Sequence, residues 1–404
     1  MGISNEIGLG MNARSIRAEN MRKIIYHLCK NREMSRADLA GKTGLTQATM
    51  TYIIRDMLDM GIVVETGQMS GFTRRPAIGL KLNPEICSVS LLIERRYVTC
   101  AIVRLDGEIL MREQRQYENG DVPEALGMLK TMVGNMLGEI SDRCRIMGLG
   151  IAVPGPFNSQ TSHIELVSGV PGWENTDFTD EFSRFGYPVF VEHNAKCGAL
   201  SQLIYNPAVS SGSVLFLLAG YGVGAGLIFD GRLHRGKIGT AGEIGHLSVD
   251  VNGPKCSCGL NGCLEIYCSL GRFREQYRAA TGTPVEGETF CGLVNCGDPV
   301  AVRIFDDGMM KLASVLAGLT NTLGLECVIF SGEMSRCSEH AVPLLEKEIK
   351  GSLLGAIAAS VSVVPGPTDY DGAVIVGSAA NVMERTLINA GAPMDKRNAA
   401  SRAT

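Results

Sequence analysis
The segment His246 to Glu265 reads HLSVDVNGPKCSCGLNGCLE, placing Cys256, Cys258 and Cys263 within eight positions of one another and His246 ten residues before the first of them. Three thiols and an imidazole so close in sequence are the donor set of a closed tetrahedral Cys3His zinc site. Gly253, Gly259 and Gly262 lie between or beside these ligands and let the backbone turn tightly enough to aim them at one point. Four protein ligands leave no position for a reactive water, so the expected metal is structural and not a Lewis acid.

A second set of chemically capable residues lies near the N-terminus. Met21, Ile24, Ile25 and Leu28 recur at helical spacing. Ser35-Arg36-Ala37-Asp38 is an N-cap signature that opens a second helix through Leu39 and Ala40, stopped by Gly44. Thr46 caps a third helix in which Met50, Ile53, Ile54, Met57 and Leu58 form one stripe, while Gln47, Thr51 and Arg55 form a polar row; Gly61 ends it. Two extended runs follow, Ile62 to Glu65 and Ala77 to Leu82, across a glycine-containing loop.

This order predicts a winged helix-turn-helix over residues 1–82 that presents its third helix to the DNA major groove. Gln47, Thr49, Thr51, Tyr52 and Arg55 would reach base edges or phosphates, Arg36 would hold the backbone, and Arg74 and Arg75 would stand at the wing tip. Charge supports this assignment: the net charge is +5 over residues 1–82 and −9 over the rest, so only the head is suited to a polyanion.

A chain of 404 residues, 45% hydrophobic, is long enough for two or three domains. The first residues lack the basic-then-apolar order of a signal peptide, and Met1-Gly2 alone is too weak to indicate myristoylation. The longest uncharged apolar run, Val214 to Phe229, is interrupted by glycines and falls short of the ~20 residues of a membrane span. A cytoplasmic protein with no membrane partner is expected, its thirteen cysteines free of disulfides, since Cys87, Cys100 and Cys327 sit in apolar settings as reduced thiols do.

Beyond Pro84, strands alternate with helices. Strands are predicted at Ser88 to Ile93, Val98 to Leu105, Ile109 to Met111, Ile146 to Val153, Val189 to Glu192, Val214 to Leu218 and Cys327 to Phe330. Helices are predicted at Pro123 to Ile140, from Ala195, at Pro299 to Leu323 and at Leu344 to Ile357, with a closing strand-helix pair from Ala373. Asp106-Gly107 and Asp230-Gly231 are hairpin turns. The pattern occurs twice and implies two α/β lobes with a cleft between them, about 83–193 and 194–404.

These residues carry a resemblance. Ala241-Gly242-Glu243-Ile244-Gly245-His246, Cys256-x-Cys258-Gly259-x-x-Gly262-Cys263-Leu264-Glu265, the turn Ala219 to Gly226 and Val153-Pro154-Gly155-Pro156 resemble the ROK family of sugar-responsive repressors and sugar kinases. The Ser35 to Ala40 helix and Arg74-Arg75-Pro76 resemble the DNA-binding head of its repressors. The resemblance implies an actin-like, ribonuclease H-like two-lobe ATPase fold behind the winged head. It also implies that Glu243, Glu265 and His246 contact sugar hydroxyls, with His193 and Asn194 at the positions of further sugar contacts.

The departures from the family's kinases bear on activity. Their Asp-x-Gly-Gly-Thr phosphate turn is replaced by Ile93-Glu94-Arg95-Arg96-Tyr97. Their Asn-Asp-Ala-Asn segment, whose aspartate takes the sugar proton, reads His193-Asn194-Ala195-Lys196. An amide is no general base, and losing one typically costs ~10² to 10⁴-fold in rate. The expectation is therefore a non-enzymatic, zinc-containing regulator, a repressor of carbohydrate genes that binds operator DNA as a homodimer or homotetramer and answers to a sugar or sugar derivative. An active sugar kinase with a regulatory head and a pure interaction module are the alternatives.

Overall fold
The computed structural model describes residues 13–389 except 69–76, 119, 141–142, 166–171 and 210–211. The first segment is the expected winged helix-turn-helix: α1 (Ala13–Asn31), β1 (Met34–Ser35), α2 (Arg36–Thr43), α3 (Gln47–Asp59), β2 (Val63–Gln68) and β3 (Ile78–Leu82), with the strands ordered β1-β3-β2. Both predicted caps form. Ser35 and Asp38 make a reciprocal capping box, and the Thr46 side chain accepts from the Thr49 amide.

The next sheet is built from β4 (Ile86–Ile93), β5 (Tyr97–Arg104), β6 (Ile109–Gln116), β7 (Arg145–Val153) and β10 (Val189–His193), in the order β10-β7-β4-β5-β6. A short ribbon, β8 (Phe157–Asn158) with β9 (His163–Ile164), lies between β7 and β10 in sequence. Strand β4 is buried at every position because both faces of the sheet are covered. One face receives the apolar stripe of α4 (Val122–Ile140); α5 (Phe178–Phe182) packs beside β10, and α6 (Asn194–Tyr205) follows that strand directly.

The same arrangement recurs with β11 (Val214–Ala219), β12 (Val223–Phe229), β13 (Arg232–His234), β14 (Cys327–Ser331) and β15 (Ser362–Pro365), in the order β13-β12-β11-β14-β15. Each sheet is an antiparallel meander followed by two parallel strands. This duplication is the two-lobe actin-like fold expected from the sequence. Around the second sheet pack α7 (Leu264–Tyr267), α8 (Leu270–Thr281), α9 (Gly287–Asn295), α10 (Pro299–Leu323), α11 (Ser338–Gly351) and α12 (Gly355–Ala358).

Two predicted elements differ. The helix expected at Leu344 to Ile357 begins earlier, at Ser338, accommodates Pro343 in its second turn and stops at Gly351. The run from Ala373, read as a strand, lies inside α13 (Tyr370–Met383), which Asp369 caps; the closing strand is β15 instead. Almost every residue of α13 is buried between the first sheet and α6, so its sequence lacks the polar face that marks a helix. A π-helical turn, Glu384–Asn389, follows it.

Head and body share one core. Met21, Ile24, Ile25 and Leu28, the stripe predicted for α1, are buried in a cluster that also holds Leu203 and Ile204 of α6 together with Val382, Met383 and Leu387. Each such side chain contributes on the order of 1.5–3 kcal/mol by leaving water.

Candidate functional site: an interlobe pocket, a Cys3His centre and a polar helix face
The carboxyl ends of the parallel strands in the two sheets open on a common cleft, the place where α/β sheets present ligand-binding loops. Glu94 and Arg95 follow β4, Pro154 to Pro156 follow β7, and His193 and Asn194 join β10 to α6. Tyr221 to Gly224, Glu243, His246, Glu265 and Glu333 face them from the other sheet and its loops. All five residues assigned to sugar contact in the sequence therefore line one pocket.

In this pocket, His193 Nδ1 and Glu243 Oε1 lie 3.8 Å apart. These two atoms, together with Asn194 Oδ1, are buried and have no hydrogen-bond partner among the described residues. Burial pushes the Glu243 carboxyl up to about 7, opposed by Lys196 and assisted by Glu265. Burial, with Lys196 nearby, holds the His193 imidazole well below its usual range, hence neutral. Glu265 is fixed by accepting the Val223 amide at 3.0 Å. The loop carrying Glu243 is pinned to β12, because the Ala225 amide donates to Gly242 O at 2.9 Å.

The pocket also gathers acidic groups beside Asn194. Asn194 Nδ2 donates to Glu94 Oε1 at 2.7 Å and to Ile93 O at 3.3 Å. Burial and then the charges of Glu333 and Asp371 drive Glu94 well above the carboxylate range. Burial raises Glu333 to about 7 and Asp371 to about 6. The Glu333 carboxylate fills the space a side chain at residue 220 would need, so Gly220 serves close packing. Glu333 and Asp371 were not singled out in the sequence; they lie more than 230 positions beyond Glu94 and belong to no local pattern.

The Cys/His cluster assembles as its spacing implies. The ligand atoms of His246, Cys256, Cys258 and Cys263 all lie within 4.8 Å of one another. His246 Nδ1 is 3.7 Å from Cys256 Sγ, and the sulfurs of Cys258 and Cys263 are 3.5 Å apart. Donors at Zn–S and Zn–N bond lengths of ~2.0–2.3 Å around one tetrahedral ion would be separated by similar distances, so the four residues fit a metal ion. The loop closes through Cys256 N to Leu260 O at 2.7 Å and Val249 N to Gly262 O at 2.8 Å. Gly262 has φ +60°, and a β-carbon there would collide with Asp250 O, so the position is closed to a side chain.

On the head, Gln47, Thr51, Tyr52 and Arg55 are exposed on α3, and Thr49 is half-buried. The Tyr52 ring lies under the guanidinium groups of Arg17 and Arg55, 6.0 and 5.3 Å from its centroid. Arg36 pairs with Glu65 at 2.8 Å. Arg74 and Arg75 lie outside the described residues.

Comparison with known proteins agrees with this architecture. The winged helix-turn-helix DNA-binding profile matches residues 17–64. The xylose repressor of Bacillus subtilis is 23% identical over 87% of this chain and 91% of its own length. A glucokinase of Thermotoga maritima is 29% identical over 76% of this chain and 97% of its own. The crystal structure of a ROK family transcriptional regulator, a homologue of the E. coli MLC protein, superposes with TM-score 0.74 and 24% identity, covering 93% of this chain and 100% of that one. With the ROK family profile matching residues 89–385, the chain belongs to the ROK family.

Proposed function
We propose that this protein is a DNA-binding transcriptional regulator, a repressor of carbohydrate-metabolism genes, whose kinase-like body binds a sugar or sugar derivative without phosphorylating it. The observation that carries the reading is the set of unpartnered buried atoms, His193 Nδ1, Asn194 Oδ1 and Glu243 Oε1, on residues that line the pocket. Buried polar atoms without partners are costly, and a polyol supplies the missing partners. The sugar-responsive character is that of the xylose repressor relative.

Two features speak against phosphoryl transfer. Asn194 stands where a general base would act, and its amide is committed to Glu94. Ile93 to Tyr97 lacks the glycines that would bring backbone N–H groups to a nucleotide phosphate, and the Glu94 side chain, an acceptor from Asn194, stands in the pocket instead.

His246, Cys256, Cys258 and Cys263 would hold one zinc ion, whose role is to brace the loop. Glu243 and Glu265 flank that loop and are thereby held in place. Residues 1–82 form the DNA-binding domain and 83–404 the effector domain, in lobes of about 83–193 and 194–404. Gln47, Thr49, Thr51, Tyr52, Arg55 and Arg36 contact operator DNA, with Arg74 and Arg75 on the wing. A cytoplasmic homodimer or homotetramer with two-fold symmetry would place two heads on half-sites ~34 Å apart or a multiple of that.

Fluorescence anisotropy of a labelled fragment from upstream of the gene, titrated at two salt concentrations and then with a sugar panel, tests the assignment. Tight, salt-steep binding altered by one sugar is the expected result. ATP consumption in a coupled assay across hexoses, pentoses and N-acetylhexosamines would replace it with the kinase reading.

A further inference from the structure
A chain of polar contacts, buried except at the partly exposed Arg235, runs from the pocket to the DNA-binding head. His193 donates its backbone N–H to Glu192 Oε1 at 3.1 Å. The other oxygen of Glu192 accepts from Arg235 Nε at 2.6 Å. Arg235 Nη2 reaches Asn381 Oδ1 at 3.2 Å and Glu384 Oε2 at 3.4 Å. The remaining oxygen of Glu384 accepts the hydroxyl of Tyr26, on α1 of the head. Glu192, His193, Asn381, Glu384 and Tyr26 are all buried.

The chain crosses four segments: the end of β10, the loop after β13, the end of α13 with its π-helical turn, and α1. Each carboxylate uses one oxygen toward the pocket and the other away from it, so displacing one link strains the next. Removing one partner of such a buried pair leaves an uncompensated charge, which makes gradual slippage unfavourable. Other contacts tie α1 to the body along its length: Arg22 donates to Gly231 O at 2.6 Å, Lys30 to Val209 O at 2.7 Å, and Cys29 Sγ to Leu105 O at 3.7 Å. On its other side α1 shares an apolar core with Met50, Ile53 and Ile54 of the recognition helix α3.

We infer that Glu192, Arg235, Glu384 and Tyr26 are positioning residues that transmit occupancy of the pocket to the DNA-binding helix. The inference rests on the regulator reading above and adds the route. A ligand seated between His193 and Glu243 moves the end of β10; Glu192 and Arg235 follow, Glu384 turns with them, and α1 is re-aimed through Tyr26. The ligand acts by favouring one arrangement of this chain over the other.

Tyr26→Phe and Glu384→Gln in the full-length protein test the route. Calorimetry with xylose, glucose and N-acetylglucosamine reports the pocket, anisotropy on the upstream DNA fragment reports the head, and hydrogen exchange in residues 20–30 reports α1. Tyr26→Phe keeps the ring in the core and loses only the hydroxyl. Both variants are expected to bind the sugar within about 2-fold of wild type, whereas a sugar-dependent change in DNA affinity of ~5-fold or more in wild type collapses toward unity, along with the change in α1 exchange. A merely structural role would lower thermal stability and leave the sugar response in place. An unaltered sugar response in both variants overturns the route alone. A wild-type protein that binds none of the three sugars, or whose DNA affinity none of them changes, overturns the regulator reading and the route together.

Discussion
His193 Nδ1 and Glu243 Oε1 face each other across 3.8 Å in the pocket, too far apart to hydrogen-bond directly. A hydroxyl between them would satisfy both, accepting from the Nδ1–H tautomer of the neutral imidazole and donating to the Glu243 oxygen. Glu243→Ala removes the acceptor and leaves the imidazole unpaired. Affinity for whichever sugar the pocket takes should fall ~5- to 150-fold, from the ~1–3 kcal/mol of leaving a buried hydrogen-bonding group unsatisfied. Calorimetry on wild type and variant measures this; unchanged affinity would move the ligand away from this pair.

Glu333, which also lines the pocket, makes a prediction of opposite sign. Burial raises Glu333 from 4.5 to about 7, so the folded protein binds this proton more tightly than the unfolded chain does. Its contribution is therefore favourable in acid and is lost as pH climbs from about 4.5 through 7. Glu333→Gln removes the ionisation, and at pH 8 the variant should be more stable than wild type by on the order of 1–3 kcal/mol. Urea midpoints at pH 5 and pH 8 decide the matter. A variant less stable than wild type by the same amount at both values would show that the carboxylate is held by contacts that outweigh its burial.

Much of the head and of the Cys/His centre was legible because the determinants are local. Ser35 caps Asp38 three residues away, Thr46 caps Thr49, and the three cysteines fall within one short loop. The pocket was legible only through motif resemblance, since His193, Glu243 and Glu265 meet by tertiary folding. What escaped was either non-local or without periodicity. Tyr26 and Glu384 are 358 positions apart and carry no mutual signal. The run Ala373 to Val376 is rich in β-branched residues and mostly buried, so its composition suggests a strand while its surroundings make it a helix.

The Cys3His centre should be separable from DNA chemistry. Cys258→Ser leaves three donors where a structural zinc site requires four, and metal analysis should find well below the ~1 zinc per chain expected of wild type. Loss of a structural metal is among the larger single-site effects, on the order of 4 kcal/mol, so the thermal midpoint should fall. Sugar affinity should fall with it if Glu243 and Glu265, which flank the loop and line the pocket, bind the sugar as proposed. Full stability together with full metal loss would mean that the loop folds on its backbone contacts alone.

On α3, Gln47 and Arg55 share an exposed row but offer different chemistry to DNA. An arginine neutralising a phosphate contributes to every sequence alike, so Arg55→Ala should weaken binding to operator and random DNA together and reduce the salt slope by about 1. A glutamine pairing with an adenine edge distinguishes bases, so Gln47→Ala should cost ~1–3 kcal/mol on the operator, leave random DNA nearly unaffected and keep the salt slope. Anisotropy at several salt concentrations on both DNAs separates the two patterns. If Gln47→Ala changed neither the operator affinity nor the preference over random DNA, Gln47 would belong to a solvated face, and base recognition would have to come from Thr51 and Tyr52, which are also exposed on this helix.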